Sequence, residues 1–308
     1  MIALGGNSLS PKVSSGTVGE QFSFTKRTME HLSEFILKDY NTCITHGNGP
    51  QVGNEFLRMD LINDVVPRLP LGICVANTQG QIGYMVQQTL QNKLRDLKVD
   101  REVVSLVTQV LVDKNDKGIE IPTKFVGPRY TNREINKLAK KLNWIVKEEE
   151  PGSWRRVVSS PMPEYIMHGK SIKALVDRGT IVIAFGGGAI PVFNNDNGQI
   201  EGLDAVIDKD FSAAKMGRII RAQELWIISD IDYLYSNFGT ENVRPIKEID
   251  TQQLQSLYNQ NIFQERTIKP KIKAALHFLK HHGNKVVITS IDKIKLAIEK
   301  KSGTIIRN

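Results

Sequence analysis

Three short apolar runs, at residues 41–45, 180–185 and 224–229, read Asn-Thr-Cys-Ile-Thr, Thr-Ile-Val-Ile-Ala-Phe and Glu-Leu-Trp-Ile-Ile-Ser. Each is β-branched and apolar at successive positions, as a strand covered on both faces must be, and each runs into glycine or a polar turn. Between such runs, Thr28, Met29, Leu32, Phe35 and Ile36 recur at helical spacing, and so do Ile272, Ala275, Leu276 and Leu279. Doubly covered strands alternating with amphipathic helices predict an α/β fold, a parallel sheet with helices on both faces. Further strands are expected at 285–289 and 303–306. Pro270 suits the first turn of the second helix and Gly283 its C-terminal cap, which fixes Lys271 in that first turn.

One region breaks the alternation. Between 113 and 163 the chain carries Pro122, Pro128, Pro151, Pro161 and Pro163 around one helical pattern at 132–142. Trp144, Trp154, Val157 and Val158 give this stretch apolar content of its own, so it reads as an inserted lid or protruding subdomain rather than a linker. A length of 308 residues accommodates either two average domains or one large domain with an insertion.

The formal net charge is +8, which raises the question of nucleic acid. The cations, however, are spread over the helices at 132–141 and 269–280 with no basic run interleaved with aromatics, so an anionic small molecule is the expected partner. No stretch approaches the roughly 20 apolar residues of a membrane span, and the N-terminus lacks the basic and apolar parts of a secretory signal. Cys43 and Cys74 sit in apolar, β-like surroundings without metal-ligand spacing and read as buried free thiols. A reducing, cytoplasmic location is the expectation.

Ligands of open parallel sheets bind beyond the carboxyl ends of the strands, and three glycine-rich turns fall there. They are Gly5-Gly6-Asn7-Ser8, His46-Gly47-Asn48-Gly49-Pro50 and Gly186-Gly187-Gly188-Ala189. Any one of these is most simply a tight strand-to-helix turn, but three in one chain favour close approach of backbone to phosphate. None fits the P-loop or a clean GxGxxG. The run Ala-Val-Ile-Asp-Lys-Asp-Phe at 205–211 opens a helix, with Asp208 as its N-cap. Lys209 is electrostatically out of place there. It is either a solvated lysine paired with an aspartate or a lysine aimed at phosphate and held by Asp210. His46, between a strand and a glycine turn, reads as a structural hydrogen-bonding residue. No set of metal ligands or nucleophilic triad emerges, so magnesium would arrive with a nucleotide.

Taken together, the segments Ala-Leu-Gly-Gly-Asn at 3–7, His-Gly-Asn-Gly-Pro-Gln-Val-Gly-Asn at 46–54, Val-Ala-Asn-Thr-Gln-Gly at 75–80, Pro-Thr-Lys at 122–124, Trp-Arg-Arg-Val-Val at 154–158, the glycine triplet at 186–188, the 205–211 run and Pro-Lys-Ile at 270–272 resemble the carbamate kinases of the amino acid kinase family over nearly the whole chain. The resemblance implies one domain over 1–308, a three-layer αβα sandwich around a mainly parallel open sheet, with 113–163 as its protruding subdomain, usually in a homodimer. It implies reversible phosphoryl transfer between carbamoyl phosphate and ADP, giving ATP and carbamate, with Mg2+ on the nucleotide, commonly in arginine fermentation.

Carried onto this chain, the resemblance makes Lys124, Lys209, Asp210 and Lys271 the catalytic set. Lys124 would hold carbamoyl phosphate from the subdomain, Lys209 would contact the phosphoryl in flight, Lys271 would neutralise nucleotide phosphates, and Asp210 would orient the lysines. Gly5, Gly6, Asn7, Gly47, Asn48 and Gly49 would bind the small acid, and Gly186, Gly187 and Gly188 the nucleotide together with Lys209 and Lys271. The carboxylate of carbamate is already a nucleophile, so no general base is needed. The chain departs from the family at Arg266-Thr267-Ile268, where Gly-Ser-Met is usual, at Ser159 in place of proline, and in a shorter first strand. Arginine there would add bulk and charge beside the nucleotide. The alternatives are a kinase of the same fold acting on another small acid and a non-catalytic nucleotide-binding relative.

Overall fold

Along the central strands, neighbouring residues enter opposite cores. Ile2, Leu4, Trp226, Ile228 and Val287 join one apolar cluster, while Ala3, Leu225, Ile227, Val286 and Ile288 join another. Side chains on a strand alternate in direction, so the two clusters lie on opposite faces of one sheet. The first is covered by the helices Val18–Leu37, Leu71–Asp96 and Ile294–Ile298; the second by Gly169–Asp177, Lys209–Ile219 and Lys269–Lys280. This is a three-layer αβα sandwich. A side chain as completely enclosed as Phe35 or Ile44 contributes about 2 kcal/mol by leaving water.

This computed structural model describes residues 1–6, 9, 16–236, 242–264, 267–281 and 283–308. Asn7, Ser8 and Arg266 therefore lie outside the described residues. The main sheet has eight strands in the order Glu248–Asp250, Thr304–Arg307, Lys285–Ser290, Glu224–Ser229, Ile2–Leu4, Cys43–His46, Ile181–Ile183, Val103–Ser105. All neighbours pair in parallel except Lys285–Ser290 with Thr304–Arg307. A smaller four-stranded sheet joins Ile200–Gly202, Ile190–Asn194, Gln109–Val112 and Pro163–Ile166.

Gln109–Val112 pairs with Pro163–Ile166, so the chain leaves the body after one and returns through the other. Between them it forms the helix Asn132–Leu142 and a three-stranded antiparallel sheet of Lys124–Tyr130, Ser153–Val158 and Val146–Glu150. The sequence pattern gave no hint of these strands, because a small half-exposed sheet carrying Lys-Glu-Glu-Glu and Pro128 shows neither apolar runs nor clean alternation. The sheet rests on the helix Gly49–Ile62. A Cβ on Gly53 would come within 1.9 Å of the Gly127 nitrogen, so only glycine permits this packing. At the far end of that helix Asp60 accepts from Trp144 Nε1 at 2.7 Å and Arg156 Nη1 at 2.7 Å, and pairs with Arg68 at 2.9 Å.

Cys43 and Cys74 are both buried free thiols, but only Cys43 is on a strand. Cys74 lies in the helix Leu71–Asp96, whose buried Leu71, Cys74, Val75, Thr78, Ile82 and Met85 follow helical spacing. The short apolar run around Cys74 cannot be told from a strand without its longer context. Among the described residues, no helix is long and apolar enough to cross a membrane.

Candidate active site

The helix Lys209–Ile219 begins at Asp208, whose Oδ1 accepts the amides of Asp210 at 3.0 Å and Phe211 at 3.3 Å. That cap fixes the next two side chains. Asp210 Oδ1 lies 2.5 Å from Lys209 Nζ, and Asp210 Oδ2 lies 3.0 Å from Lys271 Nζ, which reaches it from the first turn of Lys269–Lys280. Lys124, the first residue of its strand in the insert, donates to Asp208 Oδ2 at 2.8 Å. Lys124, Lys209, Asp210 and Lys271, the set expected to be catalytic, thus converge, with Asp208 pairing to Lys124 beside them.

The Lys209, Asp210 and Lys271 side chains are only 12%, 5% and 13% exposed. Burial by itself pushes the Asp210 carboxyl up, but the two ammonium groups beside it hold it far below the usual carboxylate range. Burial pulls Lys209 down, aided by the neighbouring Lys271, and Asp210 does not fully compensate. Lys271 meets the same burial, yet the charge and hydrogen bond of Asp210 hold it above its ordinary value. At neutral pH the group is a chain of alternating charges with cations in excess, suited to an anionic ligand. Lys209 at a helix N-terminus is explained by its aspartate neighbours.

The glycine turns divide. Gly5 and Gly6 line the same cavity as these lysines. Gly47 packs on Gly6 so tightly that a Cβ on Gly47 would meet the Gly6 nitrogen at 2.9 Å and Lys209 Cδ at 3.5 Å. The amides expected to serve the small acid are not all available: Gly5 donates to the Ile228 carbonyl at 2.8 Å and Gly47 to Leu4 at 2.9 Å, both extending the sheet. Asn48 is the N-cap of Gly49–Ile62, but its side chain turns inward and donates to Thr78 Oγ1 at 2.9 Å. Gly6 and the first helical turn at Gly49 remain as backbone candidates for an anion, since first-turn amides have no partner within a helix.

Gly186, Gly187 and Gly188, expected at the nucleotide, are not among the residues that line the lysine cavity. All three are buried, in a short 3-10 turn. A Cβ on Gly186 would strike the His46 ring at 2.3 Å, one on Gly187 the Asn48 amide at 2.3 Å, and one on Gly188 Ile207 at 2.7 Å. Gln79 Nε2 donates to the Gly186 carbonyl at 3.1 Å and Ser212 Oγ to that of Gly188 at 2.9 Å. The triplet is a packed support beneath the Asn48 turn, where close packing demands glycine at all three positions. His46, also buried, is held by burial at a pKa of about 4, below its ordinary value, and its Nδ1 lies 3.1 Å from the Gly47 carbonyl. It is neutral at physiological pH and has a structural place.

The cavity has a volume of about 710 Å³. Its body wall holds Gly5, Gly6, Asp208, Lys209, Asp210, Lys271, Ser229 and Asp230, and its insert wall Lys124, Phe125, Arg129, Glu149 and Arg155. Glu149 pairs with Arg129 at 2.8 Å and with Arg155 at 2.8 Å, and Arg155 Nε donates to the Gly127 carbonyl at 3.1 Å. Gln264, Thr267 and Pro270 also line the cavity. Asp230 directly follows the strand Glu224–Ser229, and the strand-end rule could have found it. Arg155 fell within the Trp-Arg-Arg-Val-Val run at 154–158 but was given no role, and nothing in the sequence marked Arg129 or Glu149, because the strands that align them were not visible. Among the described residues, no group of three or more His, Cys, Asp or Glu side chains is placed to hold a metal ion.

Comparison with known proteins agrees with this fold. The amino acid kinase family profile matches residues 1–290. A carbamate kinase of Pyrococcus horikoshii is 40% identical over 306 residues, covering 99% of this chain and 97% of its own. A carbamate kinase from Giardia lamblia bound to citric acid superposes with a TM-score of 0.95 at 33% identity, over 99% of this chain and 97% of the other. The Giardia enzyme bound to AMP-PNP gives a TM-score of 0.89 at 33% identity, with the same coverage.

Proposed function

The chain belongs to the amino acid kinase family, and on that basis we propose that it is a carbamate kinase, transferring phosphoryl reversibly between carbamoyl phosphate and ADP to give ATP and carbamate. The observation that carries this reading is the convergence of Lys124, Lys209 and Lys271 on Asp208 and Asp210 in one cavity, at the carboxyl ends of the strands Ile2–Leu4 and Glu224–Ser229. Phosphoryl transfer asks the protein for in-line placement and for charge on the moving oxygens, with little covalent work.

In this reading Lys124 holds carbamoyl phosphate from the insert, which acts as a lid, while Gly6 and the helix N-terminus at Gly49 receive the small acid. Lys209 follows the phosphoryl group between donor and acceptor. Lys271 neutralises nucleotide phosphates, with Gln264, Thr267 and Pro270 marking the nucleotide end. Asp208 and Asp210 are both engaged by lysines, which supports magnesium entering on the nucleotide's phosphates, where it would neutralise charge. His46, buried with its pKa pulled down to about 4, is a poor proton acceptor, consistent with a reaction that needs no base.

A homodimer in the cytoplasm, serving arginine breakdown, belongs to the same proposal. Ile73 and Tyr84, 48% and 58% exposed, lie on one face of Leu71–Asp96 with Gly80, whose α-carbon has open space beside it, and such a strip suits a second copy. Light scattering tests the dimer. The activity is tested by a coupled assay for ATP from carbamoyl phosphate, ADP and magnesium; folded protein that forms none refutes it.

A further inference from the structure

The geometry points to Asp208 as the positioning residue for Lys124: one carboxylate both caps the helix that carries Lys209 and Asp210 and keeps the insert's lysine at the phosphoryl site. This rests on the phosphoryl-transfer reading above.

The two oxygens have separate tasks. Oδ1 accepts the amides of Asp210 and Phe211, at 3.0 and 3.3 Å, which fixes the plane of the carboxylate. Oδ2 is thereby aimed, and Lys124 Nζ meets it at 2.8 Å. A lysine on a four-carbon stem otherwise samples many rotamers, and this pair selects the one that brings its ammonium to the Lys209–Asp210–Lys271 chain. The Lys124 and Asp208 side chains are 30% and 27% exposed, far more open than Asp210 at 5%. An ion pair that wet is weakly held, so an arriving phosphoryl group can take Lys124 from Asp208 at little cost. Asp210, enclosed by two lysines, cannot exchange in that way. Asp208 thus keeps Lys124 within reach of the substrate, and through it the insert's Phe125 wall, which borders the same cavity.

Asparagine separates the two tasks. In Asp208→Asn the side-chain oxygen can still cap the helix, but the other atom becomes an NH2 donor facing the Lys124 ammonium. Steady-state kinetics and amide hydrogen exchange on Asp208→Asn, Lys124→Met and the double variant test the inference. For Asp208→Asn, the KM for carbamoyl phosphate should rise about two- to fivefold, the effect of losing one modest ion pair, with the KM for ADP unchanged. Amides at 124–130 should exchange faster and those at 209–219 as in the wild type. The double variant should be no worse than Lys124→Met alone. An unchanged or lower KM for carbamoyl phosphate overturns the assignment, as does an equal rise in both KM values with faster exchange throughout 209–219, which would mark a simple cap. If the wild type does not use carbamoyl phosphate, the functional reading fails by itself, and exchange at 124–130 still decides whether Asp208 holds Lys124.

Discussion

Gly47 and Gly6 touch backbone to backbone: a Cβ on Gly47 would stand 2.9 Å from the Gly6 nitrogen. Gly47→Ala must push apart the turns that end two adjacent strands, and kcat/KM for carbamoyl phosphate should fall on the order of 10²-fold, as for reacting groups displaced by about 1 Å. Gly6→Ala, whose Cβ would meet only Pro50 Cδ at 3.6 Å, should keep the wild-type melting temperature. Kinetics and calorimetry on the pair check both. Wild-type turnover in Gly47→Ala would show that the contact is not needed.

Lys209 and Lys271 share Asp210 but should fail differently. Lys209→Ala should lower kcat by about 10² or more if, as proposed, its charge acts on the moving phosphoryl group. Lys271→Ala should also raise the KM for ADP. An unchanged KM for ADP would contradict its placement at the nucleotide phosphates.

The pH response follows from groups whose protonation is shifted by folding. His46 and His277 are each lowered from 6.5 to about 4, chiefly by burial, and Asp210 is lowered as well. A group with a depressed folded pKa stabilises above its unfolded pKa and loses that contribution as pH falls through the folded value. Melting temperature should therefore decline from about pH 6.5 toward pH 4, first through the histidines, and fall further below pH 4 as Asp210 protonates. The kcat profile should show no acid limb near 6.5, because His46 is neutral throughout. Its alkaline limb should fall below the ordinary lysine value of 10.5, since Lys209 is lowered. An acid limb near 6.5 that vanishes in a His46 variant would restore a catalytic role to that residue.

Gly188 has a φ of +88°, and a Cβ there would meet Ile207 at 2.7 Å. Gly188→Ala should cost about 1–3 kcal/mol of stability through strain, while the folded fraction keeps the wild-type KM for ADP. Denaturant unfolding and kinetics on the purified variant separate these, and a selective rise in the ADP KM would return the triplet to the nucleotide site.

The sheet was legible because its strands are apolar on both sides: Glu224–Ser229 is found with the bounds the residues suggest, and Lys285–Ser290 to within one residue. Lys209, Asp210 and Lys271 were legible because they sit at helix starts, where capping and proline mark position. The insert's strands were not, since their stability comes from docking on Gly49–Ile62 and from pairs such as Arg155 with Glu149, far from any local propensity. The glycine triplet is ambiguous for a related reason. Sequence shows that a residue must be glycine, but whether phosphate or a neighbouring side chain demands it is decided by tertiary packing.

The helix Gly49–Ile62 begins at the glycine turn beside Lys209 and ends near Asp60, where the insert is fastened. Fourteen residues of helix make a stiff rod of about 20 Å. Such a rod is a gauge block: it sets how far the insert stands from the floor of the cavity whatever the cavity contains. A change at the remote Asp60 end, by tilting the rod, would alter which acids fit between Lys124 and Gly6 without touching a residue that meets them.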